Sequence, residues 1–185
     1  MWKAKLEGRE VRPAAGGWAL AAARRAYSGR VLGVDPSLRG TGLALVEFSE
    51  RGAPVLLRSR TVRVAAARPM ADALAEIHRA VAAFVGGSGV RHAALEQTIY
   101  VQNVRTAQVL GAARGAAIAA AALAGLPVFE YPPLRIKQAV VGVGRASKEQ
   151  VARTVMALLD LRRPLAPDES DAAAVALCHA YTWRV

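Results

Sequence analysis

A mixed α/β domain, its sheet opening with three antiparallel strands and continuing with parallel ones, is the fold the sequence predicts. Three observations lead there. Residues 31–64 hold three apolar, partly β-branched stretches separated by short turns, the pattern of a strand meander. Beyond residue 69, stretches of helical periodicity alternate with short apolar ones, which places parallel strands side by side with helices between them. The chain has 185 residues and is 54% hydrophobic, enough for one full core and too little for two large ones.

The elements follow in order. Residues 1–29 are expected to form a basic extension ahead of a single domain spanning 30–185. Lys3, Lys5, Arg9, Arg12, Arg24 and Arg25 outweigh Glu7 and Glu10 there, "PAAGG" interrupts the segment, and "WALAAARRAY" suits a short helix in a region ordered only in part. Strands are expected over 31–34, ending at Asp35 before Pro36 and Ser37, then over 41–48 and 55–64. Met70, Leu74, Ile77 and Val81 keep helical spacing, and "GGSG" at 86–89 ends that helix. "HAALEQ" is a fourth strand ending on Glu96. Residues 102–124 read as a long small-residue helix closed by Gly125, and "PVFEY" as a fifth strand. "PPLRIKQAVVGVG" reads as a brief helix and loop. Ser147 with Gln150 three residues on is a capping box opening a helix over 148–159, and a last helix covers 167–183.

Composition narrows the function. The formal net charge of +11 favours a polyanionic partner such as nucleic acid. Of the 25 basic residues only Lys3, Lys5, Lys137 and Lys148 are lysine, an arginine bias that with abundant alanine also marks a GC-rich genome. The single cysteine, Cys178, cannot form an internal disulfide and suits a reducing compartment. No Cys/His cluster suggests zinc. The N-terminus shows no apolar core with a cleavage site, and the Ala-rich run at 116–129 is short and weakly hydrophobic. A cytoplasmic protein without membrane contact is therefore expected.

The chemistry centres on acids. Asp35 and Glu96 each end an apolar strand, and strand ends are where α/β sheets place their sites. "PDESDAAAVALCHAY" opens a helix with Asp168 and Asp171, three apart and so on one face. Four acids from three elements can then face one point. Gathered like charges repel and burial raises their pKa values, a penalty that a cation removes. Carboxylate oxygens suit Mg²⁺, with Mn²⁺ also supporting activity. Two such ions about 3.5–4 Å apart can activate water and stabilise the leaving oxygen in phosphodiester hydrolysis. Simpler readings stand beside this one. Asp168 serves as an N-cap, Asp171 as a first-turn charge, and Asp35 as a turn starter with Pro36.

Four stretches, "VLGVDPSLRGTGLALVE", "ALEQTIYVQNVRTAQVLGAARGAAIAAA", "LPVFEYPPLRIKQAVVGVGRASKEQV" and "PDESDAAAVALCHA", make the chain resemble the RuvC-type Holliday junction resolvases of bacteria from Arg30 onward. The resemblance implies a ribonuclease H-like five-stranded mixed sheet flanked by helices. It implies a homodimer that nicks two strands of a four-way DNA junction symmetrically, leaving 5′-phosphate and 3′-hydroxyl ends, in recombination and repair. The RuvA–RuvB branch-migration complex is the implied partner. Carried over, Asp35, Glu96, Asp168 and Asp171 match the family's metal-binding acids, while Lys137 and Lys148 match basic residues near the scissile phosphates. The long helix resembles the family's dimer-forming element, and an ordinary core helix fits the same pattern. The family often has an aromatic two residues after "EQ". Here that position is Ile99, and Tyr100 follows it as a candidate base contact.

Arg105 and Arg114 read either as phosphate contacts or as solvated helix charges. "GVGRASK", with Arg145, reads as a flexible basic loop over DNA and lacks a Walker pattern. His179 and Cys178 read as packed residues before anything else. Two other functions remain in view. One is a catalytically weak junction-binding module. The other is an ATPase of the actin and sugar-kinase class, which shares the hairpin after an acid but needs a second lobe.

Overall fold

The structure, a computed structural model, describes residues 27–98 and 103–184. Five strands form one sheet: β1 (Gly29–Asp35), β2 (Gly40–Phe48), β3 (Val55–Arg63), β4 (Val90–Glu96) and β5 (Val128–Tyr131). Their order is β3-β2-β1-β4-β5. β1, β2 and β3 pair antiparallel, and β4 and β5 add in parallel on the far side of β1, as the turn lengths and the alternating helices predict. Among the described residues five helices accompany the sheet: α1 (Met70–Val85), α2 (Val104–Leu123), α3 (Pro133–Val141), α4 (Lys148–Leu158) and α5 (Pro167–Thr182). The predicted brief helix is thus a full two-turn element.

Strand alternation divides the core in two. Leu32, Val34, Leu43, Leu45, Ala93 and Leu95 point to one face and pack with α1 and α2. Val31, Ala44, Val46, Ala94 and Tyr131 point to the other, beneath α3, α4 and α5. The same alternation sends Asp35 and Glu96 to the α5 face, because each lies an even number of residues beyond Val31 or Ala94.

The segment ahead of the predicted boundary takes part in the core at its last residues. Tyr27 is buried and packs edge-on against Phe48, His179 and Trp183. The basic residues from Lys3 to Arg25 and the helix expected near Trp18 lie outside the described residues, as does Tyr100.

His179 is a core residue. Its Nε2 lies 2.9 Å from His92 Nδ1 and its Nδ1 lies 2.8 Å from the Tyr131 hydroxyl. Burial pushes its pKa down to about 3, so the ring stays neutral. This chain of hydrogen bonds ties α5 to β4 and β5 at the end of the helix remote from Asp168. Cys178 beside it is buried, and burial raises its thiol to about 11, so it is unreactive packing.

Two further expectations meet the structure differently. The "GVGRASK" segment is anchored at both ends. Gly142 caps α3 in the left-handed region at φ 90°, Ala146 is buried, and Ser147 and Gln150 form the predicted capping box. Arg114 is engaged within the protein: its guanidinium grips the Glu130 carboxylate of β5 with two hydrogen bonds, joining α2 to the sheet. α2 is long and apolar enough to cross a bilayer by length and composition alone, a property that packed helices share. Its Ala113, Ala117, Ala120 and Ala121 are buried in the α1–α2 core.

Candidate active site

The sequence "GVDPSLRGTG" builds one wall of the site by leaving side chains out. Across the antiparallel pair, Asp35 faces Gly42 and Gly33 faces Ala44. A Cβ on Gly42 would lie 1.8 Å from the Asp168 carbonyl oxygen, and one on Gly33 would lie 2.0 Å from that of Ala172. The backbone of α5 therefore rests directly on β1 and β2, closer than any other residue type permits. A Cβ on Gly40 would stand 3.2 Å from Asp168 Oδ2, so this glycine leaves room for the carboxylate itself. Thr41, fully buried, closes the turn: its hydroxyl donates to the Ser37 carbonyl at 2.5 Å and accepts from the Ser37 amide at 3.2 Å.

β1 and β4 run parallel in register, with Val34 opposite Leu95, so Asp35 and Glu96 end adjacent strands one step further on. α5 enters over them with Pro167 at its first position and Asp168 and Asp171 in its first turns. Four carboxylates thus converge, as their electrostatics record. Burial, then Glu96, Asp171 and Asp168, push the Asp35 pKa up to about 7. Burial and Asp171 raise Glu96, while Lys148 and Lys137 oppose the rise. Burial also raises Asp171, against the pull of Lys148.

Lys137 from α3 and Lys148 from α4 complete the constellation. They line a groove of about 70 Å³ with Glu96, Asp171, Pro133, Ile136, Val151 and Ala174. Lys148 Nζ lies 3.7 Å from Asp171 Oδ2, on a side chain 81% exposed and free to swing. These two are the only lysines among the described residues, in a chain that otherwise uses arginine.

Of the residues singled out in the sequence, Asp35, Glu96, Asp168, Asp171, Lys137 and Lys148 come together. Arg145 is exposed on the α3–α4 loop and Arg105 is exposed in the first turn of α2, neither lining the groove. Sequence reasoning missed Ser59 and Glu169. The Ser59 hydroxyl on β3 donates to Glu169 Oε2 at 2.6 Å and moors the first turn of α5 to the far side of β2. The alternation of β3 was the available signal, since Ser59 pairs with Ala44 on the α5 face.

The donor set fits a hard divalent cation. Burial first, and the neighbouring carboxylates after it, raise the pKa values of Asp35, Glu96 and Asp171, and the nearby Lys148 and Lys137 offset only part of that rise. Among the described residues no three of the acids are closed into a finished ligand cage.

A family model described as "Crossover junction endodeoxyribonuclease RuvC" matches residues 31–179. The chain belongs to the RuvC family. RuvC from Halorhodospira halophila is 45% identical over 153 residues, covering 82% of this chain and 90% of that protein. RuvC from Trichlorobacter lovleyi is 45% identical over 157 residues, covering 84% and 87%. The solved structure of Thermus thermophilus RuvC in complex with Holliday junction substrate superposes with a TM-score of 0.78 at 32% identity, covering 83% of this chain and 93% of that one. The matched RuvC region contains all four acids and both lysines. It begins at Val31, so residues 1–30 lie outside it.

Proposed function

We propose that this chain is a metal-dependent endonuclease that resolves four-way DNA junctions by paired, symmetric nicks in recombination and repair. The observation that carries this reading is the seating of α5 on glycines 33 and 42, which delivers Asp168 and Asp171 to Asp35 and Glu96. Buried acids arranged at such a cost in repulsion have no structural purpose of their own. RuvC from Thermus thermophilus, solved with Holliday junction substrate, supports the choice of DNA.

In this reading Asp35, Glu96, Asp168 and Asp171 hold Mg²⁺, with Mn²⁺ as a working substitute. Bound there, the metal lowers the pKa of an attacking water and offsets charge on the departing oxygen. The chain's own groups do the rest. Lys137 and Lys148 stand beside the acids and neutralise the phosphate to be cut, and the Lys137 ammonium can give its proton to the leaving 3′-oxygen. Water attack on phosphorus with loss of that oxygen leaves a 5′-phosphate and a 3′-hydroxyl. Arg145 and Arg105 are exposed and serve flanking phosphates, where they add a salt-dependent share of affinity. Tyr100 is assigned to the bases at the junction centre. The bacterial cytoplasm is the setting, and RuvA–RuvB the partners that deliver the junction.

One site cuts one strand, so symmetric cutting calls for two copies. The outer face of α2 supports a homodimer. Gly111, Gly115, Ala119 and Ala122 are exposed there, and a Cβ on either glycine meets nothing within 4 Å. Gly111→Arg is expected to keep the fold and the melting temperature. Sedimentation should show half the wild-type mass, and paired cuts should give way to single nicks. A Gly111→Arg protein that stays dimeric would remove α2 from the interface.

The reading is tested by incubating the protein in Mg²⁺ with immobile and mobile four-way junctions and linear duplex, then mapping the nicks. Symmetric nicks confined to junctions are expected. Junction binding without nicks in Mg²⁺ or Mn²⁺ would favour a binding module instead.

A further inference from the structure

We propose that Leu134 and Val143 form an apolar contact for unstacked nucleobases beside the phosphate that is cut. The proposal rests on the reading of the chain as a junction nuclease and adds how the site takes hold of the strand.

The two side chains stand out by position. Leu134 is 61% exposed in the first turn of α3 and Val143 is 55% exposed in the loop after it. Single exposed aliphatic residues are common and carry no message. These two belong to one patch. A Cβ on Gly144, the neighbour of Val143, would lie 2.9 Å from Leu134 Cδ1, so Leu134 rests against the loop that presents Val143. The patch also adjoins the chemistry. Leu134 is three residues before Lys137 on the same helix face and follows Pro133, and both Pro133 and Lys137 line the acidic groove. Arg135 follows Leu134 directly and Arg145 lies two residues after Val143, both exposed, and Lys148 lines the same groove as Lys137.

The rim therefore divides its labour. Carboxylates take the metal, and cations take phosphate oxygens. An apolar knob among them has no use for either, and a phosphate backbone offers it nothing. Next to a phosphate, DNA offers an apolar side chain the deoxyribose, the thymine methyl and the broad face of a base, and a paired, stacked duplex hides the last and largest of these. Contact of Leu134 and Val143 with a base face becomes available when the nucleotides flanking the cut are splayed, and it favours that state. Because the energy of the contact is spent on unstacking, its loss lowers kcat and changes Kd little.

The test compares wild type with the double variant Leu134→Ser, Val143→Ser. Both positions are exposed, and equal melting temperatures check the fold. Junctions carry 2-aminopurine beside the cut, and binding is followed without divalent metal. We expect Kd for junction and linear duplex to stay within about twofold, kcat to fall about tenfold, and the 2-aminopurine fluorescence gain of the wild-type complex to be lost. A mismatch beside the cut lowers the cost of unstacking, so it should restore the variant's rate and leave the wild-type rate nearly unchanged. Leu134→Met with Val143→Ile should behave as wild type. A Ser variant with the wild-type fluorescence gain, or with undiminished kcat, overturns the proposal. Failure of the wild type to nick any junction defeats the nuclease reading instead, and the fluorescence comparison still decides the contact.

Discussion

Asp35→Asn is expected to abolish strand cleavage and at the same time to make the metal-free protein more stable. The two effects have one cause. Asp35 ends β1 where burial and three neighbouring carboxylates hold its pKa up at about 7, against 3.8 for an unperturbed carboxyl. Because the folded pKa is the higher, the folded state binds the proton more tightly than the unfolded chain. Its contribution to stability is complete below pH 3.8 and is lost as pH rises toward 7. At pH 8 in chelator the wild type carries the full penalty, on the order of 2–4 kcal/mol. Asn removes the charge while keeping the shape, and should raise the melting temperature in chelator by about 5–10 °C. At pH 5, where folded wild type is largely protonated at Asp35, the gain should shrink. Added Mg²⁺ should stabilise wild type strongly and the variant little. Cleavage should fall on the order of a thousandfold or more, with junction affinity intact because the phosphate-facing cations are untouched. A variant that melts lower than wild type in chelator at pH 8, or that still cuts, would take Asp35 out of the site.

Much of this arrangement was legible in the chain. Apolar stretches separated by short turns marked β1 through β3, and those ending on Asp35 and Glu96 marked the strand ends where chemistry collects. The three-residue spacing of Asp168 and Asp171 put both on one turn of α5. Long-range pairings were not legible. The alternation of β3 puts Ser59 on the α5 face but does not name Glu169 as its partner, since the two are 110 residues apart and meet only through the sheet order. Nor could periodicity show that Arg114 is consumed by Glu130. A charge on an Ala-rich helix reads alike whether it faces solvent or a strand, and only the position of β5 at the sheet edge decides. The segment 142–148 read as a flexible basic loop, whereas Gly142 is there for a left-handed cap and Gly144 for the approach of Leu134.

The glycines of the first motif carry the second large effect. The hairpin after Asp35 needs a tight turn. But Gly33 and Gly42 sit inside strands with ordinary backbone, where glycine weakens a sheet and is kept for close approach. Gly42→Ala would drive a methyl to 1.8 Å from the Asp168 carbonyl, and Gly33→Ala would drive one to 2.0 Å from that of Ala172. Both obstacles are backbone of a packed helix, so neither can swing aside as a side chain would. We expect each to cost about 3 kcal/mol or more, at or beyond the upper end of overpacking penalties. That corresponds to about 6–12 °C in melting temperature, with loss of cleavage as α5 lifts its acids away from Asp35. Gly40→Ala separates the two consequences, because its methyl meets only the mobile Asp168 carboxylate at 3.2 Å. It should fold nearly as wild type yet need more Mg²⁺ for half-maximal cutting. Gly115→Ala supplies the opposite sign when it is read on the monomeric Gly111→Arg background, where the outer face of α2 is unpaired. Its methyl meets nothing of its own chain within 4 Å and it lies within α2, so a gain of up to about 1 kcal/mol is expected there. If Gly42→Ala and Gly115→Ala shifted stability alike, α5 would not rest on the sheet through these glycines, and the convergence of the four acids would need another explanation.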